Sequence, residues 1–423
     1  MTMLDEPKSR LSRQLTTWDA VIIGISAMIG SGIFVAISPA AGSAGAGILI
    51  GITIAAFVAY CNATSSAQLA AVYPESGGTY VYGHKQLGPF WGWLAGWAFV
   101  VGKLASCSAA ALTFGYYAYP PLANVLALGA VLSLTILNYF GIQKTARITW
   151  MIVILVLSAL MTIIFASIFG GKADTSHLSP LSGDNGVIGI LRSAALMFFA
   201  FAGYARIATM GEEVKEPRQS IPQAIVMALA ITMFIYLSVV GSALLAIGPQ
   251  EMAKSTAPLA EAVNAGTFFW LSPIVRLGAT VATLGVLLSL MVGISRTIFS
   301  MADNRELPHW LSAVHPKFKV PHRAEIIVAF FTGVIVMIGD IRSAIGFSSF
   351  TILIYYAITN ASAISLPKEK RLWPNYLAGA GLLSCLLLAL SLPLQSLIIG
   401  GTVLMIGTII FFARNKMVQS RQQ

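Results

Sequence analysis

Long runs of apolar residues follow one another along nearly the whole chain and are separated by short polar loops. Each run has about 20 residues, which lets a helix cross the roughly 30 Å hydrocarbon core of a bilayer. Because a spanning segment must satisfy its own backbone hydrogen bonds, we expect helices. The pattern predicts twelve spans, at about residues 19–41, 44–70, 90–118, 121–140, 147–169, 187–210, 221–247, 273–301, 324–339, 343–365, 373–391 and 393–413.

The composition supports the same fold class. Of the 423 residues, 57% are hydrophobic and only 10% are charged, whereas a soluble domain carries about 25% charged residues. The loops between the apolar runs are too short to hold a soluble domain. We therefore predict an all-α polytopic membrane protein.

The net charge of +10 is distributed unevenly across the predicted membrane. With the N-terminus in the cytoplasm, 19 of the 26 Lys and Arg residues fall on the cytoplasmic side, 4 on the opposite side and 3 within spans. The four on the opposite side are Lys172, Lys254, Arg276 and Arg342. This positive-inside bias predicts that both termini are cytoplasmic. We therefore attribute the net positive charge to membrane topology rather than to nucleic-acid binding.

Several other kinds of site are not expected. Cys61, Cys107 and Cys385 fall in apolar segments without metal-ligand spacing, so we predict neither a disulfide nor a metal site. The chain has no Gly-Lys-Ser/Thr phosphate loop, and its five histidines lie in or near loops. We therefore expect no ATP drive, no cofactor and no enzymatic activity. The first apolar run lacks a small-residue cleavage site and is predicted to remain as a helix.

Two spans contain clusters of small residues that weaken a helix: Gly30-Ser31-Gly32 in span 1 and Ala202-Gly203 in span 6. Each glycine costs a helix about 1 kcal/mol relative to alanine. In hydrocarbon, an opened backbone is tolerated only where it is buried in protein or lines a cavity. Broken helices at corresponding positions of two inverted repeats are typical of secondary transporters. The alternative is that these small residues serve close helix packing.

The two clusters lie five spans apart, which predicts two inverted five-helix repeats followed by two further helices. The repeats would cover residues 19–169 and 170–365, and helices 11 and 12 would cover residues 366–413. The tails, residues 1–18 and 414–423, would be cytoplasmic. This division rests on the spacing of the breaks, since the two halves show no convincing residue-level repeat.

Four motifs, in this order, resemble those of the amino acid–polyamine–organocation (APC) family of permeases. They are Ile29-Gly30-Ser31-Gly32-Ile33-Phe34, Tyr73-Pro74-Glu75-Ser76-Gly77-Gly78-Thr79-Tyr80, Gly211-Glu212-Glu213-Val214-Lys215-Glu216-Pro217, and the segment from Ser295-Arg296 through Leu307-Pro308. The resemblance covers nearly the whole chain. It implies the leucine-transporter fold, alternating access and an amino acid substrate.

An amino acid needs hydrogen-bond donors for its carboxylate and acceptors for its ammonium group. A break at Ile29, Gly30, Ser31 and Gly32 would free N–H groups at the positive end of the second half-helix, where Ser31 adds a hydroxyl. A break in span 6 would free carbonyls for the ammonium group. The candidate residues there are Phe199, Ala200, Ala202, Gly203 and Tyr204. The family resemblance assigns the same roles to these positions.

Lys103 lies about 18 Å along span 3, in the middle of the membrane and among apolar neighbours. Intramembrane ionisable residues are functional candidates, and burial can make a lysine release its proton. Two interpretations stay open: Lys103 couples transport to protons, or carbonyl groups of a broken helix hold it without a coupling role. Some proton-coupled family members carry a lysine in span 5, where this chain has Val156.

Arg206 lies just after the span 6 break, where many family members have an acidic residue. Arg206 could bind an anionic group or gate the inner vestibule. The structural alternatives are an ion pair with Glu213 or a helix cap. No Asp or Glu lies in the middle of a span, which favours neutral amino acids over cationic ones and leaves acidic ones as an alternative.

An exchanger or exporter without proton coupling, and a non-transporting amino acid sensor, are the wider alternatives. We expect a monomer or weak homo-oligomer in the cytoplasmic (inner) membrane.

Overall fold

The computed structural model describes residues 15–73, 77–141, 146–181, 183, 185–208 and 214–420. Helices make up the regular secondary structure of this part of the chain, apart from one isolated backbone bridge between Leu15 and Val214. The helices of the twelve spans, in order, are Thr17–Met28 with Ser31–Val35 and Ile37–Ala44, Ile48–Val72, Pro89–Ala118, Ala123–Tyr139, Ala146–Phe169, Gly186–Phe201 with Ala205–Ala208, Pro217–Lys254, Ser272–Asp303, His322–Ile338, Ile341–Ile364, Asn375–Ser391 and Leu394–Ser420.

Ten helical segments within these ranges are long and apolar enough to cross a membrane. The helices of spans 9 and 11 are shorter, with 17 residues each, which gives about 26 Å at 1.5 Å per residue. The prediction of an all-α polytopic membrane protein is confirmed. We call the end of the bundle at which span 1 begins the basic face, and the other end the distal face.

Between spans 2 and 3 the structure has a short helix, Thr79–Gln86, which the apolar pattern does not predict. Gly78 precedes it with φ 56°, a conformation that glycine adopts without strain. The N–H of Thr79 donates to the Tyr355 hydroxyl at 3.2 Å, and the hydroxyls of Thr79 and Thr359 lie 2.7 Å apart. Span 10 therefore holds the start of this short helix at the basic face.

Three arginine side chains at the distal face each donate to a carbonyl in the last turn of another span. Arg192, Arg276 and Arg342 bond the carbonyls of Ser391, Tyr117 and Ala253, respectively. A cation is favourable at a helix C-terminus because it meets the unpaired carbonyls and the negative end of the helix dipole. Most basic residues lie at the basic face, whereas these three arginines lie at the distal face. Each of them has a local structural role there.

A buried polar network joins spans 2, 10 and 11. The side-chain amide of Asn360 donates to Asn62 Oδ1 at 2.6 Å, and its oxygen accepts from the hydroxyl of Ser65 at 2.7 Å. The thiol of Cys385 also donates to Asn62 Oδ1, at 3.3 Å. Asn360, Asn62 and Ser65 have no solvent exposure. Since buried polar groups must be paired within the protein, this network fixes how span 10 packs on its neighbours.

We expect Asn360→Ala to lower the free energy of unfolding by about 2 kcal/mol, because Asn62 and Ser65 would lose their buried partner. Thermal unfolding of detergent-purified protein measures this. Ser365→Ala, which removes an exposed hydroxyl at the end of the same helix, is the matched control. Equal unfolding midpoints for the two variants would show that the network does not stabilise the fold.

Candidate functional site: two paired helix breaks

Span 1 is interrupted where the sequence predicts. The first helix ends at Met28 and the next begins at Ser31. Gly30 between them has φ −131° and ψ −136°, outside the helical region, and its N–H bonds the Met28 carbonyl at 2.8 Å. The first N–H groups of a helix have no acceptor within it, and no side chain in the described structure caps this helix start.

The second half of span 1 acts as one bent helix from Ser31 to Ala44. Ala36 joins its two parts in a helical conformation, with hydrogen bonds from Ala36 N–H to the Gly32 carbonyl and from Ala40 N–H to the Ala36 carbonyl. Pro39 lacks an N–H for the bond that would span the junction, which accounts for the bend. The N–H groups at the break therefore belong to a half-helix of several turns.

The break in span 6 has a different form. Its first helix ends at Phe201, a tight 3-10 turn follows over Ala202–Tyr204, and a short helix continues the span. The N–H of Ala202 bonds the carbonyl of Phe199. The Phe199 carbonyl, expected to be freed for an ammonium group, therefore has a backbone partner in this structure.

The two breaks lie against each other. A Cβ added to Gly32 would lie 2.4 Å from the Cα of Ala200, and one added to Gly203 would lie 2.2 Å from the carbonyl oxygen of Ala27. Only glycine permits approaches this close. The sequence left two interpretations of these glycines, helix breaking and close packing, and the structure shows both at the same residues.

Tyr236 of span 7 joins the two breaks. Its hydroxyl lies 2.6 Å from the carbonyl oxygen of Met28 and 3.0 Å from that of Ala200, and donates to both. Its side chain is fully buried. Sequence reasoning missed this residue, although a tyrosine inside an apolar span is itself a signal, because a buried phenol needs a hydrogen-bond partner.

The other predicted residues of span 1 lie at the same junction. Ile29 is buried, and the added Cβ of Gly30 would lie 2.1 Å from Val286 Cγ2 of span 8. The side chain of Ser31 lies outside the described structure, so the role of its hydroxyl stays a prediction. Span 8 is thus a further wall of the site.

Aromatic rings connect the span 6 break to Lys103. Tyr204 packs against Tyr356 of span 10, with ring centroids 5.4 Å apart, and Tyr356 contacts its neighbour Tyr355 at 5.1 Å. Tyr355 packs on Phe99 at 5.3 Å, and Lys103 Nζ lies 6.0 Å from the centre of the Phe99 ring. These five side chains form a continuous path from span 6 through span 10 to span 3.

Lys103 is the fifteenth of the 30 residues in Pro89–Ala118, at the middle of span 3. Within the described ranges, its ammonium group lies near the Phe99 ring and makes no hydrogen bond or ion pair. A cation over an aromatic face gains about 0.5–2 kcal/mol. Val156, at the span 5 position, is buried.

Arg206 is exposed on the span 6 segment that follows the break. Its predicted partner, Glu213, lies outside the described residues, so the ion pair stays a prediction. Arg206 and Lys103 therefore differ in position: Arg206 lies on the surface near the end of its span, and Lys103 lies at the middle of its span.

A separate cavity of about 370 Å³ opens at the distal face. The end of span 1, the loop after span 5 and the end of span 7 line it, with Gly42, His177 and Gln250 as examples from these three elements. His177 Nδ1 lies 2.9 Å from the carbonyl oxygen of Leu245. The cavity lies at the far end of the second half of span 1, away from the paired breaks.

Comparison with known proteins identifies related chains. The sequence model of the amino acid permease family matches residues 15–421. An uncharacterized transporter of Mycobacterium tuberculosis is 50% identical over 413 residues, covering 98% of this chain and 94% of the relative. The branched-chain amino acid permease BcaP of Bacillus subtilis is 27% identical over 438 residues, with 95% and 93% covered. Human cationic amino acid transporter 4 is 26% identical over 403 residues, with 87% and 62% covered.

We expect Tyr236→Phe to destabilise the protein by about 1–3 kcal/mol, because the buried carbonyl of Ala200 would lose its donor. The unfolding midpoint in detergent measures the effect. Tyr60→Phe, at a partly buried tyrosine of span 2, is the control for loss of a hydroxyl. The assignment of Tyr236 as the link between the breaks fails if both variants unfold at the wild-type temperature.

Proposed function

This chain belongs to the amino acid permease family, and we propose that it carries neutral amino acids across the cytoplasmic membrane by alternating access. The substrate would bind between the two breaks. The observation that carries the proposal is the direct apposition of the breaks, with the Tyr236 hydroxyl shared by the carbonyls of Met28 and Ala200. A site for a zwitterion needs donors and acceptors side by side, and this junction supplies backbone groups of both kinds.

The proposed recognition uses the backbone. The substrate carboxylate would accept from the N–H groups of Ser31 and Gly32, which also lie at the positive end of a half-helix dipole. The ammonium group would donate to the carbonyls of Ala200 and Ala202. A carbonyl oxygen has two lone pairs, so Ala200 can bond Tyr236 and a second donor together. Tyr204 would shape the space for the substrate side chain.

A neutral side chain is favoured by the charges of the spans. A cationic substrate would need a buried carboxylate, and no Asp or Glu lies in the middle of a span. Two of the relatives differ on this point, since one is named for branched-chain and the other for cationic amino acids. The mid-span Lys103 supports the neutral choice and leaves an acidic substrate as the alternative.

The proposed repeats, topology and coupling rest on the sequence. Spans 1–5 and 6–10 form two inverted repeats, and both chain ends are cytoplasmic because 19 of 26 basic residues then face the cytoplasm. Proton coupling through Lys103 is one form of the mechanism. Exchange or export without protons, and amino acid sensing without transport, are the alternatives that the experiments below separate. The transporter would work as a monomer or weak homo-oligomer.

The substrate class is tested by a thermal-shift screen of the twenty amino acids and common polyamines. A ligand at about 100 times its Kd stabilises the native state by about 2.7 kcal/mol. We expect neutral amino acids to raise the midpoint of wild type and of Gly401→Ala, where an added Cβ meets open space. Gly32→Ala, whose Cβ would strike Ala200, should lose the shift. A response to polyamines instead would contradict the proposal, and binding without uptake into liposomes would favour a sensor.

The coupling role of Lys103 is tested with Lys103→Gln in liposomes, with and without a pH gradient. We expect the gradient to raise wild-type uptake and to have little effect on the variant, because an amide cannot exchange a proton. Lys172→Gln, at an exposed lysine of the distal face, should keep the wild-type response. If Lys103→Gln also keeps it, Lys103 does not couple transport to protons. A wild type indifferent to the gradient favours exchange.

A further inference from the structure

A histidine and a glutamate meet at the basic face, away from the paired breaks. His84 belongs to the short helix Thr79–Gln86, and Glu306 belongs to the loop that follows span 8. Nε2 of His84 lies 2.9 Å from Oε1 of Glu306, and Nδ1 lies 2.8 Å from the carbonyl oxygen of Tyr80. Both ring nitrogens therefore face oxygen atoms.

The chemistry of these oxygens fixes the number of protons in the pair. A carbonyl oxygen only accepts, so Nδ1 of His84 must carry a hydrogen. Nε2 then either donates to a carboxylate as part of an imidazolium, or accepts from a protonated Glu306. Each arrangement holds one proton more than a neutral histidine beside an ionised glutamate. The contact in this structure thus requires one bound proton.

The pair is sheltered on several sides. The side chain of Glu306 is only 6% exposed and that of His84 is 25% exposed. The His84 ring lies on the backbone of span 3, where a Cβ added to Gly92 would be 1.6 Å from Nδ1. A like arrangement at the protein surface would be weakened by water and salt, whereas a sheltered pair keeps its strength.

Two further titratable or charged groups face the pair from the elements packed against it. Tyr80, one turn earlier in the short helix, packs its ring on His84 at 4.7 Å and accepts a hydrogen bond from Asn304 at 2.9 Å. Arg414 of span 12 lies close enough to act on His84 electrostatically, and its guanidinium is 5.8 Å from the Trp93 ring. The span 3 surface beneath the ring contributes the uncharged Gly92.

We propose that His84 and Glu306 form a proton-binding site that fastens the short helix Thr79–Gln86 to the end of span 8. The short helix leads directly into span 3 and is held at its start by span 10. A proton at this site thus joins the basic-face ends of spans 3, 8 and 10. Its release leaves a neutral histidine beside a carboxylate, and any movement that separates span 8 from the short helix becomes easier.

The protonation balance of His84 supports this role. Burial alone lowers the pKa of His84, but the hydrogen bonds to Glu306 and to the Tyr80 carbonyl hold it above its ordinary value of 6.5 despite the opposing charge of Arg414. A raised pKa means that the stabilisation is fully present below about pH 6.5 and is lost as the pH rises through the raised value. The His84–Glu306 contact between the short helix and the end of span 8 is therefore stable in acid and weakened in mild alkali.

The test compares unfolding midpoints at about pH 6 and about pH 8.5 for wild type, His84→Gln, Glu306→Gln and the double variant. We expect the coupling energy between His84 and Glu306 to be present at the lower pH and lost at the higher one. The unfolding midpoint of wild type should therefore fall by about 2 °C or more on going to high pH, and those of the three variants at His84 and Glu306 should not. His309→Gln, at an exposed histidine of the same loop, is the control and should behave as wild type. The proposal is overturned if His84→Gln keeps the wild-type pH dependence, or if His309→Gln abolishes it.

A second measurement does not depend on variants that fold. Carbon-13 NMR of histidine-labelled wild type follows each of the five ring resonances with pH. We expect one resonance to keep its imidazolium position to a higher pH than the other four, and Glu306→Gln to remove that difference. Five resonances that all titrate at or below the ordinary pKa would contradict a proton held on the His84 ring, which its raised pKa requires, and would overturn the proposal. Neither measurement involves substrate, so this inference stands or fails separately from the proposed function.

Discussion

The need to pair every backbone polar group inside the membrane governs the centre of this structure. Two spans interrupt their helices, and each interruption leaves a carbonyl that its own helix does not fully satisfy. One tyrosine hydroxyl, from Tyr236, meets both carbonyls. Its span must therefore lie where the breaks of spans 1 and 6 come together. A packing arrangement that separated the breaks would take the Tyr236 donor away from the Ala200 carbonyl, whereas the Met28 carbonyl would keep the N–H of Gly30.

Span 10 has a comparable organising role on the other side of the breaks. Tyr356 packs on the span 6 break, and its neighbour Tyr355 bonds the short helix at the basic face and contacts the span 3 ring beside Lys103. One turn further, Asn360 is held by two side chains of span 2. A change at the breaks that shifts Tyr356 would also move the contacts at the basic face, because Tyr356 and Tyr355 lie on the same helix and contact the two regions.

The sequence predicted the features that depend on local composition. Runs of about 20 apolar residues predicted the spans, and the glycines around Ser31 predicted the break that separates Met28 from the second half of span 1. The span 6 break was located at Ala202-Gly203 but takes the form of a tight turn, in which the Phe199 carbonyl finds a backbone partner. Its form depends on contact with Ala27, which local composition does not contain.

The sequence did not predict the features that depend on contacts between residues far apart in the chain. The role of Tyr236 requires knowing that Met28 and Ala200 are neighbours in space, although 172 positions separate them in the chain. The His84–Glu306 contact is likewise made across 222 positions. The short helix Thr79–Gln86 was missed because its few residues are held by span 10 rather than by an apolar face of their own. The role of Lys103 and the division into repeats stay predictions.

The most direct test of the central claim is a structure of the purified protein with a saturating neutral amino acid, such as leucine. The account predicts the ligand between spans 1 and 6, its carboxylate about 3 Å from the N–H groups of Ser31 and Gly32 and its ammonium group at a similar distance from the Ala200 carbonyl. Ligand bound instead in the distal cavity beside His177, with the paired breaks empty, would contradict it.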